Sequence, residues 1–226
     1  MIHEKTTRKR QENRSMKIEN RTPHQDGFYM PGEFEPQDGV ILIWPKRPGS
    51  WPYEAKEAGE VFAEIANKLA ETEKVYMLTE PETEAVAREL LCENVEILTI
   101  PTDDAWARDV GPTFVTDGKE VRGVNWSFNA WGGTYDGLYQ DWQKDDKVAE
   151  EFCKLTGYDY YDAAPFVLEG GSIHSDGQGT VIGHFARIVL VCKVRALYYP
   201  VMFATPIIDA VIVMFLTRLV LVLMGY

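Results

Sequence analysis

Short apolar runs alternate with segments of helical periodicity through the middle of the chain, and this alternation constrains the fold most strongly. Val40–Trp44, Lys74–Thr79 and Val95–Ile100 each have the length and composition of a buried strand. Between them, Tyr53–Leu69 and Pro81–Leu91 carry apolar residues at helical spacing. The order strand, helix, strand, helix, strand predicts a mixed α/β fold in layers.

The second half of the chain continues the pattern with a hairpin and a further helix. Thr113–Val115 and Val121–Asn125 read as strands joined by a turn at Asp117-Gly118. A helix is predicted over Asp145–Thr156, because its apolar residues fall on one face and a glycine follows it directly.

The stretch FVLEGGSIHSDGQGT, residues 166–180, combines an apolar run with chemically active side chains. Glu169 precedes two glycines, which allow close backbone approach. His174 and Asp176 stand two positions apart, so an extended backbone would point both to one face. An imidazole beside a carboxylate suits general acid/base chemistry near neutral pH. The alternative is a surface turn in which both side chains are solvated.

A second stretch, DDAWARDVGP at residues 103–112, places three aspartates around Trp106 and Arg108. Carboxylates bind a guanidinium group through paired hydrogen bonds, and an indole face attracts its charge. The stretch therefore suits a planar cation. The alternative is structural, with Arg108 paired to Asp103 or Asp104.

Tryptophan-bearing loops flank these stretches. Asn125–Tyr139 is rich in Trp, Asn and Gly and is interpreted as a functional loop. The Pro-rich loop after Trp44 holds Trp51, which is either a packing lid or a wall facing a ligand.

The charge balance argues for a cationic ligand. The chain has a net charge of −12, and its first 25 residues are basic, so the remainder is more acidic still. An acidic chain of this kind binds nucleic acid poorly and attracts cations.

The three cysteines, Cys92, Cys153 and Cys192, are scattered along the chain without a CxxC pair. This spacing disfavours a disulfide scaffold or a zinc site and suggests a cytoplasmic protein.

Both ends of the chain differ from its centre. Residues 1–25 are polar, without apolar periodicity or a signal-peptide core, and are predicted to be a disordered arm. Residues 183–226 form an aberrant apolar tail. Thr205–Tyr226 is long enough to span a membrane, but Asp209 and Arg218 interrupt it at a high insertion cost. We therefore favour a change of reading frame after about Ile182 over a membrane anchor.

Four motifs, taken together and in order, carry a resemblance to a known family. The segments MPGEFEPQDGVILIWP, DDAWARDVGPTFV, FNAWGG and FVLEGGSIHSDGQGT closely resemble the agmatine deiminases of the bacterial-type peptidyl-arginine deiminase family, in the pentein superfamily. The resemblance covers residues 26–182. It implies part of a pentein α/β propeller, built from ββαβ units about a pseudo-fivefold axis.

The resemblance also implies a reaction. The family hydrolyses agmatine to N-carbamoylputrescine and ammonia, in putrescine biosynthesis, without a metal or an organic cofactor. A cysteine thiolate attacks the guanidinium carbon to form a covalent amidino-thioether. The implied partner is thus a small cationic substrate, with neither nucleic acid nor membrane, and a homo-oligomer would be in keeping with the family.

Residue roles follow from the matching motifs. Asp109 and Asp176 are expected to bind the guanidinium nitrogens. His174 is expected to be the acid/base, with Glu169 as the carboxylate that accompanies it. The expected aromatic substrate contacts are Trp106, as a pocket wall, and Trp131.

The family's nucleophile is expected in a Gly-rich segment with a Cys after a His, and no such segment occurs here. Cys192 lacks those neighbours. The chain is therefore predicted to be a truncated agmatine deiminase-like protein without turnover. Two alternatives remain: a non-catalytic guanidine or polyamine binder, tethered to a membrane by the tail, and a different guanidino enzyme such as an arginine deiminase.

Overall fold

The computed structural model describes residues 15–183, which form two sheets, a small hairpin and five helices. Three of the helices are longer than one turn, and single 3₁₀ turns lie between several elements. In chain order the elements are β1 Lys17–Ile18, β2 Val40–Ile43, α1 Lys56–Leu69, β3 Val75–Thr79, α2 Pro81–Leu90, β4 Val95–Thr99, α3 Ala107–Val110, β5 Thr113–Thr116, β6 Val121–Ser127, α4 Gly133–Asp136, α5 Val148–Thr156, β7 Tyr160–Val167, β8 Ile173–Ser175 and β9 Val181–Gly183.

The first half of the chain forms the predicted layered unit. Strands β2, β3 and β4 lie side by side in that order, and both pairings are parallel. Helices α1 and α2 are the two crossovers that parallel neighbours require. Val75, Met77 and Leu78 of the central strand are completely buried, as expected for a strand covered on both faces. Pro81 opens α2 after the capping residue Glu80.

The second sheet has the order β1-β7-β6-β5. Strands β5 and β6 form the predicted antiparallel hairpin, and β7 returns parallel to β6 after α5. Strand β6 continues to Ser127, two residues beyond its predicted end, and short helix α4 lies within the predicted functional loop.

Residues 15–25 correct the prediction of a disordered arm over residues 1–25. Strand β1 pairs with β7, and the backbone N–H of Tyr160 donates to the carbonyl of Met16 at 3.0 Å. Thr22 and Gln25 form a reciprocal capping box around a 3₁₀ turn. Local charge and polarity suggested disorder, whereas pairing with a strand more than 100 residues away orders the backbone. Residues 1–14 lie outside the described part.

A shared core joins the two sheets. Phe152 of α5 packs edge-on against Tyr76 of β3 and Phe114 of β5, with ring centroids 5.2 and 6.2 Å apart. Buried residues of the first sheet, of α3 and α5 and of the connecting loops belong to the same cluster, including Ile43, Leu78, Ile100, Val110, Phe128 and Val148. The core therefore fixes the loop after β4 against the loop after β6.

These elements confirm the mixed α/β class. Within residues 15–183 the sheets are open and do not close on themselves, so the propeller stays a prediction. No helix of this region has the length and apolar character needed to cross a membrane. The predicted apolar tail lies outside the described residues, apart from Gly183.

Gly123 of β6 offers a test of how closely α5 packs on the second sheet. A Cβ added there would lie 2.6 Å from Sγ of the buried Cys153 and 3.2 Å from Cβ of Pro112. Overpacking of this kind costs about 1–3 kcal/mol. We expect Gly123→Ala to lower the free energy of unfolding by that amount in urea denaturation.

Two further variants make this test specific. Gly49→Ala is the control, because an added Cβ there meets nothing within 4 Å. In a Cys153→Ala background the sulfur is absent, so adding Gly123→Ala should cost less. An equal cost in both backgrounds would contradict the assigned contact.

Candidate active site

The two stretches predicted to form one site do meet in the structure. A 3₁₀ turn at Gly170–Ser172 closes against α3, and the backbone N–H of Gly171 donates to Oδ1 of Asp109 at 3.0 Å. A Cβ on Gly170 would overlap the carbonyl oxygen of Arg108, and one on Gly171 would lie 2.7 Å from Oδ1 of Asp109. The close approach that these glycines were expected to allow is observed, with a backbone carbonyl at Gly170 and with a carboxylate at Gly171.

Arg108 holds the same turn from the other side. Its Nε donates to the carbonyl of Gly170 at 3.0 Å and its Nη2 to the carbonyl of Ile173 at 3.3 Å. The guanidinium also forms an ion pair with Glu33. The structural alternative for Arg108 was wrong in its partners, because its ion pair is with a residue of an earlier loop rather than with Asp103 or Asp104.

Asp104 instead anchors the loop from within. Its side chain is completely buried and accepts hydrogen bonds from the Ser50 hydroxyl and from Nε1 of Trp51 at 3.1 Å. The Trp51 ring packs edge-on against Phe62 of α1 at 5.6 Å. These contacts support the packing interpretation of Trp51.

Asp145 is a second buried carboxylate beneath the loop, and sequence reasoning gave it no role. Its Oδ1 accepts the backbone N–H groups of Asp103 at 2.7 Å and Asp104 at 3.3 Å, and its Oδ2 accepts the Tyr139 hydroxyl. Burial raises the pKa of Asp145 to about 6, above the ordinary 3.8. Its position before a helix was the only sequence signal, and the two backbone N–H groups that it accepts lie about 40 residues away.

Trp106 and Trp131 form an aromatic corner beside Asp109. Their rings meet edge-on with centroids 5.2 Å apart. Trp131 also contacts Phe128 and Tyr139, at 5.1 and 6.3 Å. Trp106 keeps 36% of its surface exposed. The geometry thus makes Trp131 the packed support and Trp106 the ring with a face available to a ligand.

Backbone strain accompanies this corner. Ala130 and Trp131 adopt positive φ values of 53° and 64°, which are costly for residues with a side chain. Ala130 is completely buried, and its carbonyl accepts the N–H of Leu138 at 2.9 Å. Strain held by surrounding contacts is common at ligand sites, and here it aims an indole at Trp106.

Glu169 follows the end of β7 and is 6% exposed. Its backbone carbonyl accepts the N–H of Ser172 at 3.0 Å, which closes the 3₁₀ turn. The neighbouring Leu168 donates to the carbonyl of Ser127 at 3.3 Å. The strand end and the turn therefore place this largely buried carboxylate next to the segment that contacts α3.

His174 and Asp176 lie farther along the same segment and are both exposed. His174 is in β8 opposite Ile182, while Asp176 is in the turn before β9. Oδ1 of Asp176 accepts the backbone N–H groups of Gln178 and Thr180 at 2.8 and 2.9 Å. Those hydrogen bonds lower the pKa of Asp176. Its observed contacts are those of a turn-forming aspartate.

Two of the three cysteines fall in the described residues, and they differ in environment. Cys153 is buried, and burial raises the pKa of its thiol to about 12. Cys92 is exposed, in the connection between α2 and β4. A thiolate is the reactive form, so Cys153 is inert at neutral pH. Cys192 lies outside the described residues, and within them no cluster of His, Cys, Asp and Glu could hold a metal ion.

The sequence matches the profile of the Porphyromonas-type peptidyl-arginine deiminases over residues 29–192. It is 51% identical over 172 residues to a protein of Selenomonas ruminantium provisionally named agmatine deiminase, covering 74% of this chain and 46% of that protein. A similarly named protein of Vibrio parahaemolyticus is 52% identical over 161 residues, with coverage of 71% and 44%.

A solved structure extends this similarity to the fold. The agmatine deiminase of Enterococcus faecalis matches with a TM-score of 0.73 and 44% identity, covering 75% of this chain and 47% of that one. The chain thus spans about half the length of the relatives that it matches. The profile match also runs past Ile182, where the resemblance was expected to end, to residue 192.

The raised pKa of Asp145 predicts a pH dependence of stability. The folded state retains this proton up to about pH 6, while the unfolded chain releases it near pH 3.8. The stabilising contribution is therefore complete below about pH 4 and lost as the pH rises to about 6, a loss of roughly 3 kcal/mol. Asp145→Asn should lack this loss, because an amide oxygen can still accept both backbone N–H groups.

The measurement is urea denaturation of both proteins between pH 4 and pH 7. Other titrating groups are common to both and cancel in the difference. A difference that does not vary with pH would contradict the assigned environment of Asp145.

Proposed function

Because the chain belongs to the Porphyromonas-type peptidyl-arginine deiminase family, we propose that it carries a guanidinium-binding site of the agmatine deiminase type. The observation that carries this proposal is the closure of the Gly170–Ser172 turn on α3. One contact brings the segment of Glu169 against that of Asp109, with the exposed ring of Trp106 nearby. Two carboxylates and an indole suit a planar monovalent cation.

In this proposal Asp109 and Glu169 are the principal guanidinium carboxylates. Glu169 is nearly buried and Asp109 partly so, and a charge-assisted hydrogen bond is stronger away from water. Asp176 was expected in this role, but one of its oxygens closes a turn. We therefore assign Asp176 to the geometry of the hairpin that carries His174.

His174 remains the proposed acid/base. The proposed reaction begins with a thiolate attacking the guanidinium carbon of agmatine. The C–N bond then breaks, a proton passes to the departing nitrogen, and ammonia leaves. Water next attacks the amidino-thioether carbon, loses a proton, and releases N-carbamoylputrescine and the thiol. An exposed imidazole can exchange these protons with solvent between steps.

A nucleophile for this reaction is missing from the described cysteines. Cys153 is buried beneath β6, and burial raises the pKa of its thiol. Cys92 lies in the connection between α2 and β4. We therefore propose that this chain binds agmatine without turnover. In this proposal the described residues form a guanidinium binder, and the deiminase reaction is the chemistry from which the site derives.

The fold supports the same assignment. The antiparallel hairpin of β5 and β6, helix α5 and the parallel return in β7 form a ββαβ unit, with the one-turn helix α4 in the loop between β6 and α5. This is the repeating unit of the propeller implied by the family resemblance. We propose that the second sheet is one such unit.

Agmatine binding tests this function directly. Isothermal titration calorimetry should show binding of agmatine and much weaker binding of putrescine, which lacks the guanidinium group. Loss of a charged hydrogen bond costs roughly 1.5–3 kcal/mol. We therefore expect Asp109→Asn and Glu169→Gln each to weaken agmatine binding roughly 10- to 100-fold, with no ammonia released by any of these proteins.

Glu71→Gln is the matched control, since it removes one exposed carboxylate at the end of α1 and should leave the affinity unchanged. Equal affinity for agmatine and putrescine would contradict a guanidinium site. Ammonia release by the unmodified chain would contradict the absence of a nucleophile, and its loss in Cys192→Ala or Cys92→Ala would identify the sulfur.

A further inference from the structure

Arg108 and Asp109 are neighbours in α3 that hold one turn from two sides. Asp109 accepts the N–H of Gly171, while Arg108 donates to the carbonyls of Gly170 and Ile173. Those two carbonyls lie between Glu169 and His174. The turn lies between two proposed site residues, Glu169 and His174. It is therefore bound at three points to α3, which carries the third, Asp109.

The contact leaves little room for adjustment at its centre. A side chain on Gly170 would overlap the Arg108 carbonyl. Backbone therefore lies directly on backbone, and a shift of the turn moves the peptide next to Glu169. Affinity at a preorganised site is sensitive to such small displacements.

Glu33 orients the guanidinium from a separate loop. It pairs with Arg108, and both side chains are about half exposed. Three groups thus share one guanidinium: two backbone carbonyls and one carboxylate. A planar fork with five donors can satisfy them together, whereas an ammonium group at the end of a flexible chain cannot reproduce the geometry.

The Arg108–Glu33 ion pair is half exposed, and exposed ion pairs contribute little to stability, so this pair is poorly explained as a device for folding. Arg108, Glu33 and Gly170 also line a cavity of about 420 Å³. A shorter or uncharged side chain at position 108 would face open space without a clash. Proteins with such a substitution at Arg108 are therefore expected to fold.

We propose that Arg108 is a positioning residue: with Glu33, it sets the Gly170–Ser172 turn against Asp109 and so determines the affinity of the site for guanidinium ions. This proposal rests on the proposed function for its ligand. In this role neither Arg108 nor Glu33 contacts the ligand; both act through the position of the turn.

The test compares Arg108→Met, Arg108→Lys and Glu33→Gln in the full chain. Titration with agmatine should show at least roughly 10-fold weaker binding for Arg108→Met, with little rescue by Arg108→Lys. Glu33→Gln should weaken binding to an intermediate extent, because the carbonyl contacts remain. Arg88→Met is the matched control, as Arg88 is exposed and pairs with Glu84 on α2.

Two further measurements distinguish an effect on the position of the turn from a loss of overall stability and from a failure of the proposed function. The urea midpoints of the three variants should shift no more than that of Arg88→Met. Hydrogen exchange at the Gly171 amide should accelerate at least roughly 10-fold in Arg108→Met, because the turn opens more often. This second measurement needs no ligand.

The outcomes are distinct. If the unmodified chain binds no agmatine, the proposed function fails, and the exchange rate at Gly171 decides the positioning role alone. Wild-type affinity in Arg108→Met, or full rescue by Arg108→Lys, would overturn the proposal. An unchanged exchange rate at Gly171 would overturn it as well, and if Arg108→Met does not fold, Arg108→Lys and Glu33→Gln carry the test.

Discussion

The contact between the Gly170–Ser172 turn and α3 is the constraint on which the candidate site depends. Two distant segments meet there: Gly170 lies against the backbone carbonyl of Arg108 and Gly171 against the carboxylate of Asp109, and a side chain on either glycine would collide with these groups. Asp109 and Arg108 then bind opposite sides of the turn. The chemical groups of the site are thus placed by one close backbone contact and by hydrogen bonds between these two side chains and the main chain of the turn.

A second constraint lies below this contact, where buried carboxylates replace apolar packing. Asp104 and Asp145 are almost inaccessible to water, and they accept hydrogen bonds from backbone N–H groups and from three side chains. Burying them costs free energy, as the raised pKa of Asp145 shows. What they contribute is a defined loop path toward Trp106. The loop is therefore rigid because of polar contacts that a core of aliphatic residues could not direct.

Local periodicity was enough to predict the first sheet and its crossovers. The central strand Val75–Thr79 is mostly buried, the edge strand Val40–Ile43 is partly so, and both runs are apolar enough to be recognised from sequence alone. Helix α3 was not predicted, because four residues are too short to show a period. The ordering of Lys17–Ile18, the partner of Arg108 and the role of Asp145 depend on contacts between distant positions. Residue types indicated which groups were present, while only the fold shows which ones meet.

Under the proposed function, substrate binding and bond cleavage place different demands on the site, and Asp109, Glu169 and Trp106 are assigned to the first. Asp109, Glu169 and Trp106 can recognise a cation through charge and shape, since ground-state binding needs no nucleophile. Cleavage needs a thiolate at the guanidinium carbon, and the pKa of Cys153 excludes it from that task. The turn and α3 both lie within residues 15–183, so the contacts that join them are made by described residues. Under this proposal, the groups assigned to recognition lie within the described residues, whereas the covalent step needs a thiolate in addition.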